Sequence, residues 1–138
     1  MERLRVRDVM TADVTTLQRN DKLTLADDIM RLGRIRHLPV LDEDGQLAGI
    51  LTQRDLFRGA LAKALGYGER AQRQLMDTLV VKEVMTAEVL TTTPDTPLAE
   101  AAKVLVERKI GCLPVVDGGR LIGIITEADF VALATRTS

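Results

Sequence analysis

The stretch GILTQRD at residues 49–55 has a second copy in the same chain, GIITEAD at residues 123–129. Each copy follows an apolar run built on Leu-Pro-Val. Upstream of each run lies the tetrapeptide Val-Met-Thr-Ala, at residues 9–12 and again at residues 84–87. Because these landmarks recur in the same order at nearly the same spacing, the sequence contains an internal duplication.

The composition is that of an ordinary folded protein, and it argues against several function classes. The chain has 138 residues, enough to bury a core, and a net charge of −1, without the basic excess of a nucleic-acid binder. The single cysteine, Cys112, cannot form an internal disulfide and suggests a reducing compartment. Neither a long apolar run nor a signal peptide is evident, so we expect a cytoplasmic protein without a membrane partner.

Hydrophobic periodicity predicts the same order of elements in each half: strand, helix, strand, strand, helix. Opening strands are predicted at 14–17 and 89–92 by their β-branched residues, and helix N-caps at 20–21 and at Thr96 by the polar residues found there. Aspartates and glycines then mark a tight hairpin in each half. The sequence therefore predicts a mixed α/β (α+β) fold made of two similar units.

The duplication divides the chain into a first unit over residues 1–57 and a second unit over residues 81–138. The intervening residues 58–80 are too apolar for a flexible linker, so we expect a helical spacer that packs against the body or against a partner chain. Gly66-Tyr67-Gly68 should interrupt this spacer, and a further helical stretch should cover residues 69–79.

Each copy of the repeated stretch contains a threonine followed three residues later by an aspartate, Thr52 with Asp55 and Thr126 with Asp129. This spacing is typical of a capping box, in which side chain and backbone of the two residues satisfy each other at a helix start. A helix start also offers amides to a phosphate, and a carboxylate can accept hydrogen bonds from two adjacent ribose hydroxyls. The pattern therefore fits a structural cap and a nucleotide site, and neither interpretation excludes the other.

Val-Met-Thr, Leu-Pro-Val and Gly-Ile-x-Thr-x-x-Asp occur in register in both repeats, and this pattern resembles the CBS domain family, named after cystathionine β-synthase. The resemblance covers residues 6–57 and 81–130, and the tandem pair is similar to what is called a Bateman module. It implies two β-α-β-β-α units packed face to face by pseudo-twofold symmetry.

The resemblance also implies a function, that of a non-catalytic regulatory module which senses adenosine-containing ligands in clefts between the two units. AMP, ADP or ATP are the expected ligands, with S-adenosylmethionine or NAD as alternatives, and no further cofactor or metal is required. Binding would change the shape or the association of the module. Dimers are common in the family, so we expect a homodimer that passes its signal to itself or to an effector protein.

Carried over residue by residue, the resemblance assigns two sets of nucleotide-binding residues. Asp129 and Asp55 would each hold the hydroxyls of one ribose, opposite backbone of the other repeat. Arg54 has no counterpart, because Ala128 occupies the matching position, so we expect the two sites to differ in affinity. The first set comprises Thr126, Asp129, Thr15, Ile35, Arg36 and His37; the second comprises Thr52, Arg54, Asp55, Leu90, Ile110, Gly111 and Cys112.

Two other functions are compatible with the sequence. In a structural or dimerisation module with empty clefts, the repeated threonines and aspartates would only cap helices. An enzyme would need a base, a nucleophile or a metal set, and His37 is the only histidine. Cys112 lies in an apolar run without a base beside it, so we expect a buried or lining thiol and not a nucleophile.

Overall fold

The computed structural model of the protein describes residues 3–64, 73–74 and 76–136 and contains both helices and strands. The mixed α+β architecture predicted from the sequence is confirmed. In chain order the elements are α1 (Val6–Val9), β1 (Leu17–Gln18), α2 (Leu23–Gly33), β2 (His37–Leu41), β3 (Leu47–Thr52), α3 (Gln53–Ala64), a 3-10 turn (Val81–Glu83), α4 (Leu98–Arg108), β4 (Cys112–Asp117), β5 (Arg120–Thr126) and α5 (Glu127–Arg136).

The chain forms two compact units whose composition differs from that of the two repeats. Unit 1 comprises Met1–Val14 together with Leu90–Ser138, and unit 2 comprises Thr15–Val89. Each unit therefore combines the hairpin of one repeat with the Val-Met-Thr-Ala segment of the other. The division at residues 57 and 81 stays a prediction about the repeats, which the grouping into compact units does not test.

Unit 2 is built on a three-stranded sheet in the order β1-β2-β3. Strand β2 pairs antiparallel with β3, and β1 runs parallel to β2. The Val-Met-Thr-Ala segment at residues 84–87 pairs with strand β3, because the backbone of Thr86 exchanges two hydrogen bonds of 2.9 Å with Ile50. Helix α2 covers the sheet with its apolar stripe. The buried core of unit 2 consists of Leu17, Leu23, Ala26, Met30, Leu38, Val40, Leu51, Leu56, Met76, Leu79 and Val81.

Unit 1 repeats this plan around the hairpin of β4 and β5. The hairpin turns at Gly118 and Gly119, whose φ angles of 58° and 82° are those of a type I′ turn. Thr11 exchanges two backbone hydrogen bonds of 2.9 Å with Ile124, as Thr86 does with Ile50 in unit 2. The buried core of unit 1 consists of Val6, Val9, Leu98, Ala101, Leu105, Leu113, Val115, Ile125 and Leu133.

The opening strands are shorter than predicted, and the prolines explain the difference. The prediction for 14–17 was wrong in extent, because the strand covers Leu17–Gln18, and in 89–92 only Thr92 forms a bridge, to Val115. Thr92 donates its N–H to the carbonyl of Pro114 at 2.9 Å. The next ladder bond would need an N–H from that proline, which has none, so the parallel pairing ends there. Pro39 has the equivalent place beside β1.

The predicted side-chain caps of α2 and α4 were also wrong by one or two residues. The N-cap of α2 is Lys22 and that of α4 is Pro97. In each helix the first N–H donates instead to a backbone carbonyl of a distant segment, Leu23 to Leu79 and Leu98 to Leu4, both at 2.9 Å. Because tertiary partners satisfy these amides, the helices begin without the local polar caps that sequence patterns favour.

The predicted spacer over 58–80 lies partly outside the described residues, and this includes the interruption at 66–68 and part of the stretch 69–79. The described end of the spacer belongs to unit 2, and the side chains of Met76 and Leu79 are buried in the core of that unit. Arg73 bridges Asp27 and Asp28 of α2 at 2.7 and 2.9 Å. Its guanidinium lowers the pKa of the Asp28 carboxyl below the usual value.

Candidate functional site

The start of α3 forms the capping box that the sequence predicts. The Thr52 hydroxyl accepts a hydrogen bond of 3.0 Å from the Asp55 amide, and Asp55 Oδ2 accepts one of 3.1 Å from the Thr52 amide. Both residues are half-buried. The carboxylate therefore has a fixed place at the positive end of the α3 dipole.

The start of α5 is built in the same way with one difference. Asp129 Oδ2 accepts a hydrogen bond of 2.8 Å from the Thr126 amide, and the Thr126 hydroxyl lies 3.4 Å from the same oxygen. Here the hydroxyl faces the carboxylate of Asp129, whereas in α3 the Thr52 hydroxyl faces the amide of the aspartate. Both helix starts thus present a half-buried carboxylate whose own repeat holds it mainly through Oδ2.

A second threonine, for which the sequence pattern indicates no role, contacts each carboxylate. The Thr11 hydroxyl donates to Asp129 Oδ1 at 2.9 Å, and the Thr86 hydroxyl donates to Asp55 Oδ2 at 3.2 Å. Both threonines belong to the duplicated Val-Met-Thr-Ala segments. The duplication of this segment was the only sequence feature that pointed to these two threonines. The sequence does not indicate which hairpin each copy of the segment packs against.

The backbone preceding β2 and β4 lies beside these helix starts. In unit 2 the Arg36 carbonyl accepts from the Gln53 amide at 2.8 Å, and His37 pairs with Thr52 across the sheet. In unit 1 the Gly111 carbonyl accepts from the Glu127 amide at 3.2 Å, and Cys112 pairs with Thr126. Each unit therefore brings residues of both predicted sets together.

The predicted residues divide between the units as follows. Unit 2 contains Thr15, Ile35, Arg36, His37, Thr52, Arg54 and Asp55, and unit 1 contains Leu90, Ile110, Gly111, Cys112, Thr126 and Asp129. Thr15 and Leu90 are exposed residues that precede the parallel β pairing of their units. The assignment of residues from both units to one ligand stays a prediction of the sequence.

Two arginines of unit 2 are available to an anion. The side chains of Arg36 and Arg54 are exposed, and no carboxylate among the described residues pairs with either. By contrast, Arg34 and Lys109 end α2 and α4 as C-caps with φ angles of 54°. Both are exposed helix ends.

Cys112 is a buried thiol at the start of β4, with 8% of its surface exposed. Burial raises the pKa of this thiol to about 12. It therefore stays protonated at neutral pH, and a thiol is a far weaker nucleophile than a thiolate. This agrees with the prediction of a buried or lining cysteine. Within the described part of the chain, no group of three or more His, Cys, Asp and Glu side chains could hold a metal ion.

The burial of Cys112 predicts a loss of stability at alkaline pH. In the unfolded chain the thiol has its ordinary pKa of 9.0, whereas in the folded protein its pKa is about 12. The free energy of unfolding should therefore fall between these pH values and be unaffected by the thiol below them. Urea titrations of wild type and Cys112→Ala at several pH values test this. An equal pH dependence in both proteins would contradict it.

No helix within the described residues has the length and hydrophobicity that a membrane span requires.

The molecule consists of two small α+β units, each with a strand hairpin that runs directly into a helix whose first turn presents a carboxylate. These features define a tandem pair of β-α-β-β-α modules. The CBS domain profile matches residues 6–62 and 81–135, so the chain belongs to the CBS domain family.

Known relatives include proteins of similar size and much larger ones. A CBS domain-containing protein from Dictyostelium discoideum is 32% identical over 93% of this chain and 89% of its own length. The protein MJ1225 of Methanocaldococcus jannaschii is 30% identical, and the chain spans 42% of its length. Homoserine O-acetyltransferase from Methanococcoides burtonii is 36% identical, but the chain spans only 23% of that enzyme.

Solved structures with the same fold include two that contain adenosine compounds. The CBS domain pair of MJ0100, in complex with 5′-methylthioadenosine and S-adenosylmethionine, has a TM-score of 0.78 and 30% identity, with 98% of each chain covered. CBSX2 in complex with AMP also has a TM-score of 0.78 and 30% identity, with 96% of this chain and 97% of that chain covered.

Proposed function

We propose that the chain is a non-catalytic regulatory module that binds an adenine nucleotide and responds by a change in shape or association. The single observation that carries this proposal is the pair of half-buried carboxylates, Asp55 and Asp129, each fixed at a helix start. A carboxylate is an acceptor for two hydroxyl groups at once, and a ribose offers two adjacent hydroxyls. The neighbouring helix amides favour a phosphate.

Asp55 and Asp129 keep acceptor capacity that no described residue uses. A carboxylate has about four acceptor positions. Among the described residues, Asp55 Oδ1 accepts no hydrogen bond and Asp129 Oδ1 accepts only the one from Thr11. A residue that served as a cap alone would need only Oδ2. This spare capacity favours a ligand site over the alternative of a purely structural module with empty sites.

The ligand class follows from the neighbours and from the charges. MJ0100 and CBSX2 carry 5′-methylthioadenosine, S-adenosylmethionine or AMP. The exposed Arg36 and Arg54 add positive charge in unit 2, and we therefore place AMP, ADP or ATP first, with S-adenosylmethionine or NAD as alternatives. Cellular nucleotide ratios would then be the signal, which makes the module an energy sensor in the cytoplasm.

Self-association is a further part of the proposal. Phe57 on α3 and Val131 on α5 occupy equivalent positions in the two repeats, and 59% and 67% of their surfaces are exposed. Large apolar side chains on the outer faces of both closing helices favour contact with a second copy. We propose a homodimer through these helices, with an effector protein or the dimer itself as the output.

Calorimetric titration of the purified chain with AMP, ADP, ATP and S-adenosylmethionine tests the proposed function, with GMP as the control for base recognition. The expected result is saturable binding of at least one adenosine compound and weaker binding of GMP. If none of the adenosine compounds binds, the structural alternative is favoured. Turnover of ATP with magnesium would indicate an enzyme instead.

A further inference from the structure

We infer that Thr11 and Thr86 are positioning residues that orient the two carboxylates toward a ribose, and that Thr11 does so more completely. This inference rests on the proposed function, because it concerns the same carboxylates. Neither threonine belongs to the Gly-Ile-x-Thr-x-x-Asp stretch that presents the carboxylate. Each comes from the Val-Met-Thr-Ala segment of the other repeat, folded into the same compact unit.

The backbones of both threonines are held firmly in place. Thr11 exchanges two backbone hydrogen bonds with Ile124, and Thr86 exchanges two with Ile50, all of 2.9 Å. Ile124 and Ile50 precede the helix starts by only a few residues on β5 and β3. The hydroxyl of each threonine is therefore presented to the aspartate from a rigid support, as a positioning group requires.

The two carboxylates differ in how their planes are fixed. Asp129 accepts through both oxygens, from the Thr126 amide on Oδ2 at 2.8 Å and from the Thr11 hydroxyl on Oδ1 at 2.9 Å. Two donors on different oxygens fix the rotation of the carboxylate. Asp55 accepts from Thr52 and Thr86 through Oδ2 alone, so its Oδ1 is not fixed by any described residue.

This difference has a consequence for recognition. A carboxylate held in one orientation loses less freedom when the 2′- and 3′-hydroxyls bind, so preorganisation favours the ligand. The Asp129 carboxylate should therefore discriminate more strongly between a ribose and a 2′-deoxyribose than the Asp55 carboxylate. Removal of the Thr11 hydroxyl should reduce this discrimination, with less effect from removal of the Thr86 hydroxyl.

In an opposing interpretation, the Thr11 hydroxyl competes with the ligand for the Asp129 carboxylate. The Thr11 hydroxyl already donates to Asp129 Oδ1, and a ligand hydroxyl that required the same lone pair would have to displace it. A carboxylate oxygen can accept two hydrogen bonds, however, so the threonine and a ribose hydroxyl can share Oδ1. The two interpretations predict changes of opposite sign when the hydroxyl is removed.

The experiment compares AMP with 2′-deoxy-AMP on the full chain by calorimetry. Thr11→Val removes the hydroxyl with little change of shape, Thr11→Ser restores it, and Thr135→Val removes an exposed hydroxyl at the far end of α5 as the matched control. We expect Thr11→Val to weaken AMP binding about three- to tenfold, a typical loss for one hydrogen bond. Binding of 2′-deoxy-AMP should change less, and Thr11→Ser should behave as wild type.

The outcomes separate this inference from the proposed function. If the wild type binds neither nucleotide, the proposed function fails and the inference with it. If the wild type binds AMP but Thr11→Val binds it equally well or more tightly, the positioning role alone is overturned. An equal loss for both nucleotides would indicate a purely structural role and also overturn it. Should Thr11→Val not fold, Thr86→Val tests the same role in unit 2, with a smaller expected loss of AMP affinity.

Discussion

Replacing Asp129 with alanine is expected to weaken the binding of AMP by roughly 10- to 100-fold, since hydrogen bonds to a charged acceptor contribute about 1.5–3 kcal/mol. The variant removes both carboxylate oxygens from the start of α5, one of which accepts from Thr126 and the other from Thr11. Calorimetry measures the affinity and the number of binding events. Asp55→Ala should have the corresponding effect on the site of α3.

The matched control for Asp129→Ala is Glu127→Ala. Glu127 is an exposed acid in the same first turn, so it contributes the same charge to the helix dipole without the hydrogen bonds of Asp129. We expect this control to bind AMP within about twofold of wild type, because an exposed charge at a helix start contributes only a few tenths of a kcal/mol. Equal losses in both variants would show that net charge and not a specific contact governs binding.

Gly49→Ala should destabilise the protein by about 3 kcal/mol, a large part of the stability of a chain of this size. A methyl group at Gly49 would lie 2.6 Å from the Thr86 carbonyl oxygen and 2.9 Å from the Met85 sulfur. The carbonyl cannot retreat, because it accepts the Ile50 amide at 2.9 Å. Equilibrium unfolding in urea measures the loss. The shift would also move Thr86 away from Asp55.

The second repeat supplies an internal comparison. A methyl group at Gly123 would lie 2.7 Å from the Met10 sulfur but 3.0 Å from the Thr11 carbonyl oxygen, so the flexible side chain is the main obstacle. Gly123→Ala should therefore cost less than Gly49→Ala, about 1–2 kcal/mol. Met10→Ala should relieve part of that cost, and Met85→Ala should not rescue Gly49→Ala. The reverse order of effects would contradict the packing described here.

Much of the fold could be predicted because its signals are local and duplicated. Residues close together in sequence determine three of its features: the apolar stripe of α2, the Gly118-Gly119 hairpin and the start of α5. The opening strands and the caps depend on partners distant in sequence. The length of a parallel pairing depends on where Pro114 falls in the register, which a β-branched run alone does not reveal.

In the candidate site, too, contacts between residues close in sequence could be predicted and contacts between distant residues could not. The spacing of Thr52 and Asp55 indicated the capping box of α3 directly, because all its atoms lie within one turn. The contacts of Thr11 and Thr86 could not be found in this way. Thr11 is 118 residues away from Asp129 in sequence, and its role depends on the fact that the Val-Met-Thr-Ala segment of one repeat folds with the hairpin of the other.

The most direct test of the central claim is a crystal structure of the protein grown with AMP. Our account predicts that the 2′- and 3′-hydroxyls of the ribose lie within hydrogen-bonding distance, about 2.5–3.0 Å, of the carboxylate oxygens of Asp55 or Asp129. A nucleotide bound with its ribose away from both carboxylates would contradict it, whatever the affinity measured in solution.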